Sequence, residues 1–401
     1  MFILERMDER MMLTSAQQFI EEFTESTIKH KITKGTEGYL QRIGLWDHKE
    51  KWTKETMRHL ALTREEGYHV PLLAFEQVLF VVKRFSSERL IPLMNEYSLA
   101  VENIDHIKDA LEYAVQYRQE DLLVQLLDRH QDHPDLTEWV PVYQLLLVSV
   151  VRDCTSSEEI IDQARDLVGR VTETILKVRL EVHEVRSYVE LGYRSKTAYL
   201  KEKLPKQLES VETSFVKSVL VTITNFYIAY DLVYNEGKLI EAEKYLQESV
   251  ISHVVAETMC VPCYHLLSIA TLARKDYTSV GYMQRALFYA ERTGLEDYRQ
   301  KLESEYLPFV RNMHGDKFDL DGVILEEQVH QYVVRLQYKK ALELVTKLEA
   351  DGNGSSFLTF YKGMALQDVG VLAEAMHAFA KEGRLYLLPL VEMELKKNSP
   401  S

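Results

Sequence analysis

Apolar residues along most of the chain recur every three or four positions, the period of an amphipathic helix, and short polar turns separate the runs. Four stretches repeat one design, a polar turn leading into an amphipathic helix with a small residue five positions in. They are Gly237-Lys-Leu-Ile-Glu-Ala242, Asp276-Tyr-Thr-Ser-Val-Gly281, Leu336-Gln-Tyr-Lys-Lys-Ala341 and Gly370-Val-Leu-Ala-Glu-Ala375. Ala242, Gly281, Ala341 and Ala375 are expected to let the second helix of a hairpin lie close against the first. They are separated by 39, 60 and 34 residues. The last interval is the period of a tetratricopeptide repeat, and the longest leaves room for a degenerate unit or a longer connection around Met313 to Val323.

Less regular helical pairs continue upstream, Ile107 to Tyr117 with Glu120 to His130, then Val140 to Arg152 with Ser157 to Glu190. Breaks are predicted at Asp132-His-Pro-Asp135, Pro205, His314-Gly-Asp316 and Asp351 to Ser356. The pattern predicts an all-α protein, a right-handed solenoid of tetratricopeptide-like helical hairpins over residues 69–395 with a capping or dimerising C-terminal segment. A small N-terminal helical head over 1–68 precedes it, and a disordered tail over 396–401 follows.

In the head, helices are expected from Thr14, from Thr36 to Ile43 and from Lys49 to Leu62, the last two joined by Gly44-Leu-Trp-Asp-His48. Three short helices with a glycine-containing turn are the minimum of a DNA-binding helix-turn-helix. Ile28 to Glu66 carries nine Lys/Arg against six Asp/Glu, and Lys49, Lys51, Lys54 and Arg58 are the candidate phosphate contacts. The same charge mixture also suits a solvated helical face, and Trp46 and Trp52 read as packing residues.

Composition agrees with helices: 46% of residues are hydrophobic, and only 16 Gly and 9 Pro supply turn chemistry in 401 residues. The net charge of −14 lies wholly beyond residue 60, so any DNA contact belongs near the N-terminus, while the acidic body suits a basic ligand. Three cysteines and no signal peptide point to a reducing cytoplasm. The longest nearly apolar run, Val140 to Val151, is too short to span a bilayer, so no membrane contact is expected.

Enzyme chemistry finds no support. Cys260-Val-Pro-Cys263 has no second pair and reads as helical packing, His130-Gln-Asp-His133 as a loop, and Gly352-Asn-Gly354 as a turn without a following Lys-Ser/Thr. No Gly-x-Ser-x-Gly or His-Glu-x-x-His occurs. No catalytic residue, metal or cofactor is assigned.

Several fragments, in order and spacing, resemble the arbitrium receptors (AimR) of temperate Bacillus phages. They are Val81-Val-Lys-Arg-Phe-Ser-Ser-Glu-Arg-Leu-Ile-Pro-Leu-Met94, Ala110-Leu-Glu-Tyr-Ala114, Asn235-Glu236 before Glu241-Ala-Glu-Lys-Tyr245, Phe360-Tyr-Lys-Gly363, and Leu388-Pro-Leu-Val-Glu-Met-Glu-Leu395. The resemblance implies a homodimeric transcription regulator in a bacterial host, joined through its C-terminal repeats. A head would bind a DNA operator, and the repeats would receive a hexapeptide signal that governs lysis or lysogeny. Carried over, Asn235 matches a peptide-contacting Asn, Asp231 stands where a second Asn is usual, and Thr224 and Ile228 lie above them on one helical face. Glu257 falls in register with a peptide-clamping Arg, and Arg384 close to an Asp, so the resemblance implies a changed peptide preference. The alternative is a repeat protein that sequesters or inhibits another protein without binding DNA. The Leu385 to Val391 stripe suits either core or dimer contact.

Overall fold

The computed structural model describes residues 74–398 except single positions at 86, 153, 194, 253 and 275. The head over 1–68, with Lys49, Lys51, Lys54 and Arg58, lies outside the described residues. Among the described residues every regular element is helical. They form two compact units, one from residues up to Glu184 with Gln207–Leu220, the other from Val185–Lys206 with Val221 onward.

The first unit is a stack of hairpins: α1 (Phe75–Phe85) with α2 (Leu90–Ala100), α3 (Ile104–Gln116) with α4 (Glu120–His130), and α5 (Trp139–Leu146) with α6 (Ser157–Arg170). First helices pack on first helices, α1 on α3 and α3 on α5, and α2 packs on α4, as in a solenoid of helical pairs. Phe75 anchors this core, with ring centroids 5.4 Å from Tyr97, 5.9 Å from Tyr113 and 5.2 Å from Phe215. Local chemistry sets the helix starts. Asn103 accepts from the amides of Asp105 and His106, and Ser156 with Glu159 forms a reciprocal capping box.

The single helix expected over Ser157 to Glu190 is two, α6 and α7 (Thr174–Glu190). The break at Val171-Thr172-Glu173 is stabilised from a distance. The Glu138 carboxylate accepts from the Thr172 amide at 2.7 Å, the Thr172 hydroxyl at 2.6 Å and the Glu173 amide at 3.1 Å. Three bonds from one acidic group hold its pKa down, against a desolvation that would raise it.

Asp109 on α3 points into the core, where its Oδ1 accepts from the Val216 amide at 3.2 Å at the start of α9 (Phe215–Asp231). Burial, reinforced by Asp105, Glu76 and Glu112, pushes its pKa from 3.8 to about 7, although the Val216 amide opposes the shift. A carboxyl raised on folding binds its proton more tightly in the native state. The resulting stability is full below the unfolded pKa and is lost as pH rises through the folded one. Asp109→Asn keeps the Oδ1 acceptor and removes the charge. It should raise stability by roughly 1–3 kcal/mol near pH 8 and leave it unchanged near pH 4, as read from denaturant midpoints at both pH values.

The second unit begins in the C-terminal half of α7 and contains α8 (Ser195–Glu209) up to Lys206. Pro205 lies inside α8 rather than ending it. Leu204 and Leu208, both buried, hold the turn that the proline weakens. From residue 221 onward the unit takes the end of α9, then α10 (Leu239–Ile251), α11 (Glu257–Ala270) with α12 (Thr278–Thr293), and α13 (Glu296–Lys301) running through a π-turn into α14 (Leu307–Met313). A connection over 314–324 follows, then α15 (Leu325–Val334) with α16 (Tyr338–Ala350), α17 (Ser356–Leu366) with α18 (Val369–Lys381), and α19 (Leu388–Asn398). The 60-residue interval thus holds both an extra helical segment and a long connection.

Ala242, Ala341 and Ala375 are fully buried between helices, as their spacing predicts. Gly281 is not: it is exposed, and an added Cβ would meet nothing. The fully buried small residues of that helix are Ser279, Ala286 and Ala290. The tightest approach belongs to Gly363 on α17, whose Cβ would lie 2.9 Å from Leu372 Cδ2 and 3.0 Å from the Leu372 backbone nitrogen. The Cys260 and Cys263 side chains are buried in α11, and burial raises the Cys263 thiol pKa well above its ordinary value.

The tail expected from Lys396 instead stays helical to Asn398, where Asn398 Nδ2 donates to the Glu394 carbonyl at 2.9 Å. Among the described residues one stretch of 22 residues is long and apolar enough to cross a membrane, Phe215–Glu236, with mean hydropathy 1.2 over an 18-residue window. Thr222, Thr224, Asn225 and Asp231 interrupt it, so it does not read as an apolar run in the sequence. It is a core helix, with Leu220, Ala229, Leu232 and Val233 fully buried.

Candidate functional site

At the end of α9 the backbone widens into a π-turn, Leu232–Glu236, and stops at Gly237 with φ +65°. The Lys238 amide donates to the Leu232 carbonyl at 2.8 Å, closing the turn. Such one-residue expansions cost hydrogen-bond geometry and recur where a helix must re-aim side chains. Tyr234 and Asn235 lie in this turn and are part-buried. Leu232 and Val233 stay in the core while Asn235 remains part-buried, its Nδ2 donating to Asp231 Oδ1 at 2.6 Å.

The turn Leu385–Leu387, between α18 and α19, lies against this π-turn. The Tyr234 and Tyr386 rings meet edge to face at 5.2 Å, and Tyr230 sits 4.5 Å from Tyr234. Burial pushes the Tyr234 hydroxyl pKa well up, and the phenols of Tyr386, Tyr230, Tyr298 and Tyr306 add to it. Tyr306 comes from a second π-turn, Leu302–Tyr306, between α13 and α14. His265 of α11 completes the aromatic face. Its Nδ1 lies 2.8 Å from the Tyr298 hydroxyl and its ring 4.4 Å from Tyr306, and burial lowers its pKa to about 4, which keeps it neutral.

Charge enters beside these rings. Glu305 and Glu326 are part-buried carboxyls, and desolvation raises both above the usual range, with Glu327 adding to the shift. The Arg384 guanidinium is the opposing cation felt by both. It stacks over the Phe357 ring at 4.8 Å and pairs through Nε with Glu382 Oε2 at 3.0 Å. The result is a patch of part-buried phenols, two reluctant carboxyls, one arginine and one amide. Such a surface can hydrogen-bond a peptide backbone and match a charged side chain.

The sequence-derived residues separate into groups. Thr224, Ile228 and Asp231 do share a face, but it is an inward one, with exposures of 2%, 4% and 1%. Thr224 Oγ1 is buried without a hydrogen-bond partner. Asn235 is the reachable member of that set, and Arg384 lies on the segment that meets its turn. Glu257 is directed elsewhere, pairing with Arg292 of α12 at 2.9 Å. Tyr234, Tyr298, Tyr306, Tyr386, Glu305 and Glu326 went unread. The density of tyrosine, 23 in the chain, was the available signal, yet nothing in the sequence says that residues near 234, 306 and 386 meet. Among the described residues no group of three or more His, Cys, Asp and Glu could hold a metal ion.

A family model described as AimR transcriptional regulator-like matches residues 90–397. No curated protein matches the chain. Among solved structures, the selenomethionine form of phAimR aligns with TM-score 0.63 at 15% identity, covering 94% of this chain and 97% of its own. A phAimR–ligand structure aligns with TM-score 0.52 at 15% identity, covering 84% and 99%. At such identity the structural likeness speaks to the fold.

Proposed function

The chain belongs to the AimR transcriptional regulator-like family, and from that premise we propose that it is an arbitrium receptor, a transcription regulator that answers to a short peptide. The peptide lies on the face formed by Asn235, Tyr234, Tyr298, Tyr306, Glu305 and Arg384, and its binding alters how the N-terminal head engages an operator. One observation carries this reading. The part-buried Asn235 amide sits on a π-turn inside an aromatic and charged patch, in a chain whose fold matches a structure solved with a ligand. Arg384 stands where the family resemblance implies an acidic residue, so the peptide differs in its own charges from those of related receptors. The acidic body, carrying the whole net charge beyond residue 60, supports a cationic side chain on it. The protein acts as a homodimer, in the compartment that holds the DNA.

The test is titration of the purified protein with an arrayed synthetic hexapeptide library, followed by Asn235→Ala. A peptide hit should lose affinity about tenfold in the variant, the value of a hydrogen bond lost in a part-buried site, while the protein remains folded. Unchanged affinity in Asn235→Ala would remove this residue from the site.

A further inference from the structure

We propose that Tyr386 and Leu385 are positioning residues for Asn235. On this inference the turn Leu385–Leu387 clamps the π-turn Leu232–Glu236, and ligand affinity depends on a clamp that the ligand does not touch. The proposal rests on the reading of Asn235 as a ligand contact.

Three observations carry it. A π-turn lacks the regular hydrogen-bond ladder and persists where tertiary contacts over-determine it. This one is held on two sides. Within the helix, Asn235 Nδ2 donates to Asp231 Oδ1. From outside, the C-terminal segment abuts its end, since a Cβ on Gly237 would meet Leu385 Cβ at 3.4 Å and the Leu385 carbonyl oxygen at 3.6 Å. The Tyr234–Tyr386 pair, at 5.2 Å and 85°, fixes the residue next to Asn235.

The clamp is itself anchored. The Arg384 amide donates to the Phe379 carbonyl at 2.8 Å, its guanidinium lies over Phe357, and Leu387 is buried. Helix α19 starts directly after the clamp at Leu388, so the Asn235 turn and the C-terminal helix are mechanically joined.

The experiment uses the full chain without ligand and with the hexapeptide library, in Tyr386→Ala, Tyr386→Leu and Tyr386→Phe. Hydrogen exchange of the amides from Val233 to Lys238 should quicken about tenfold in the alanine and leucine variants, while α12 keeps its wild-type rate and phenylalanine restores protection. Peptide affinity should fall by about the same factor in the first two and recover in the third. Unchanged exchange over 233–238, acceleration spread evenly over α12, or a phenylalanine variant as defective as alanine would each overturn the clamp. If no hexapeptide binds the wild-type protein, the receptor reading fails, and the exchange measurement still decides the clamp.

Discussion

Replacing Arg179 with methionine should destabilise the protein by about 3–5 kcal/mol, the cost of stranding one member of a buried ion pair. Arg179 Nε lies 2.9 Å from Glu112 Oε2, and the side chains are 4% and 0% exposed. The same oxygen accepts the Tyr143 hydroxyl at 2.7 Å, and Gln116 Nε2 donates to Oε1 at 2.7 Å. Without the guanidinium, two neutral donors face a full negative charge that has no access to water. Arg179→Met/Glu112→Gln removes the charge and keeps an acceptor for Tyr143, so it should recover more than half of the loss. Urea midpoints at constant slope measure both. If the double variant is no more stable than Arg179→Met, stranded charge is not the cause.

The second large effect is expected at Glu327, the hub of a buried network in the second unit. Its carboxylate accepts from Tyr361 at 2.6 Å and from Asn312 Nδ2 at 3.0 Å, and it lies 3.3 Å from His330 Nδ1. Gln331 extends the network to Asn312 at 2.5 Å and to the Asp316 carbonyl at 2.8 Å. Glu327→Ala leaves several buried donors without an acceptor and opens a void, at a cost of about 3–4 kcal/mol. Glu327→Gln keeps an acceptor for Tyr361 and should lose less than half as much, as measured by thermal unfolding. Equal losses in the two variants would show that shape rather than hydrogen bonding matters there. Removing the charge should also lower the Glu305 and Glu326 pKa values, since Glu327 raises both.

The fold was legible where a rule is local. Helix α4 spans Glu120 to His130 in both the periodicity and the structure, and the hairpin spacing that buries Ala341 and Ala375 marks the stack. It was illegible where distant groups decide. Nothing near Val171 announces a break, because the acceptor that stabilises it is Glu138, some thirty residues earlier. Pro205 reads as a stop until the burial of Leu204 and Leu208 is known. Gly281 follows the repeat pattern yet faces open space, because the pattern locates a turn and not which small residue the neighbouring helix meets.

The site divides in the same way. Asn235 stands out by resemblance and by its i to i+4 relation to Asp231. Tyr386 enters only because the last turn of the chain comes back to the π-turn, a long-range pairing that periodicity does not encode. The π-turns themselves have no sequence signature. Thr224 and Ile228 are poor guides for another reason, since the face they share with Asp231 is buried and only Asn235 is part-exposed.

The central claim is a peptide-responsive regulator, and the most direct measurement is binding of the full chain to DNA from its own genomic neighbourhood across a salt series, with and without the hexapeptide selected by titration. The wild type should form a complex that weakens steeply with salt and that the peptide weakens or reshapes. Asn235→Ala should need about tenfold more peptide for the same effect. Absence of any complex at low salt, together with capture of a protein partner by the repeats, would contradict it.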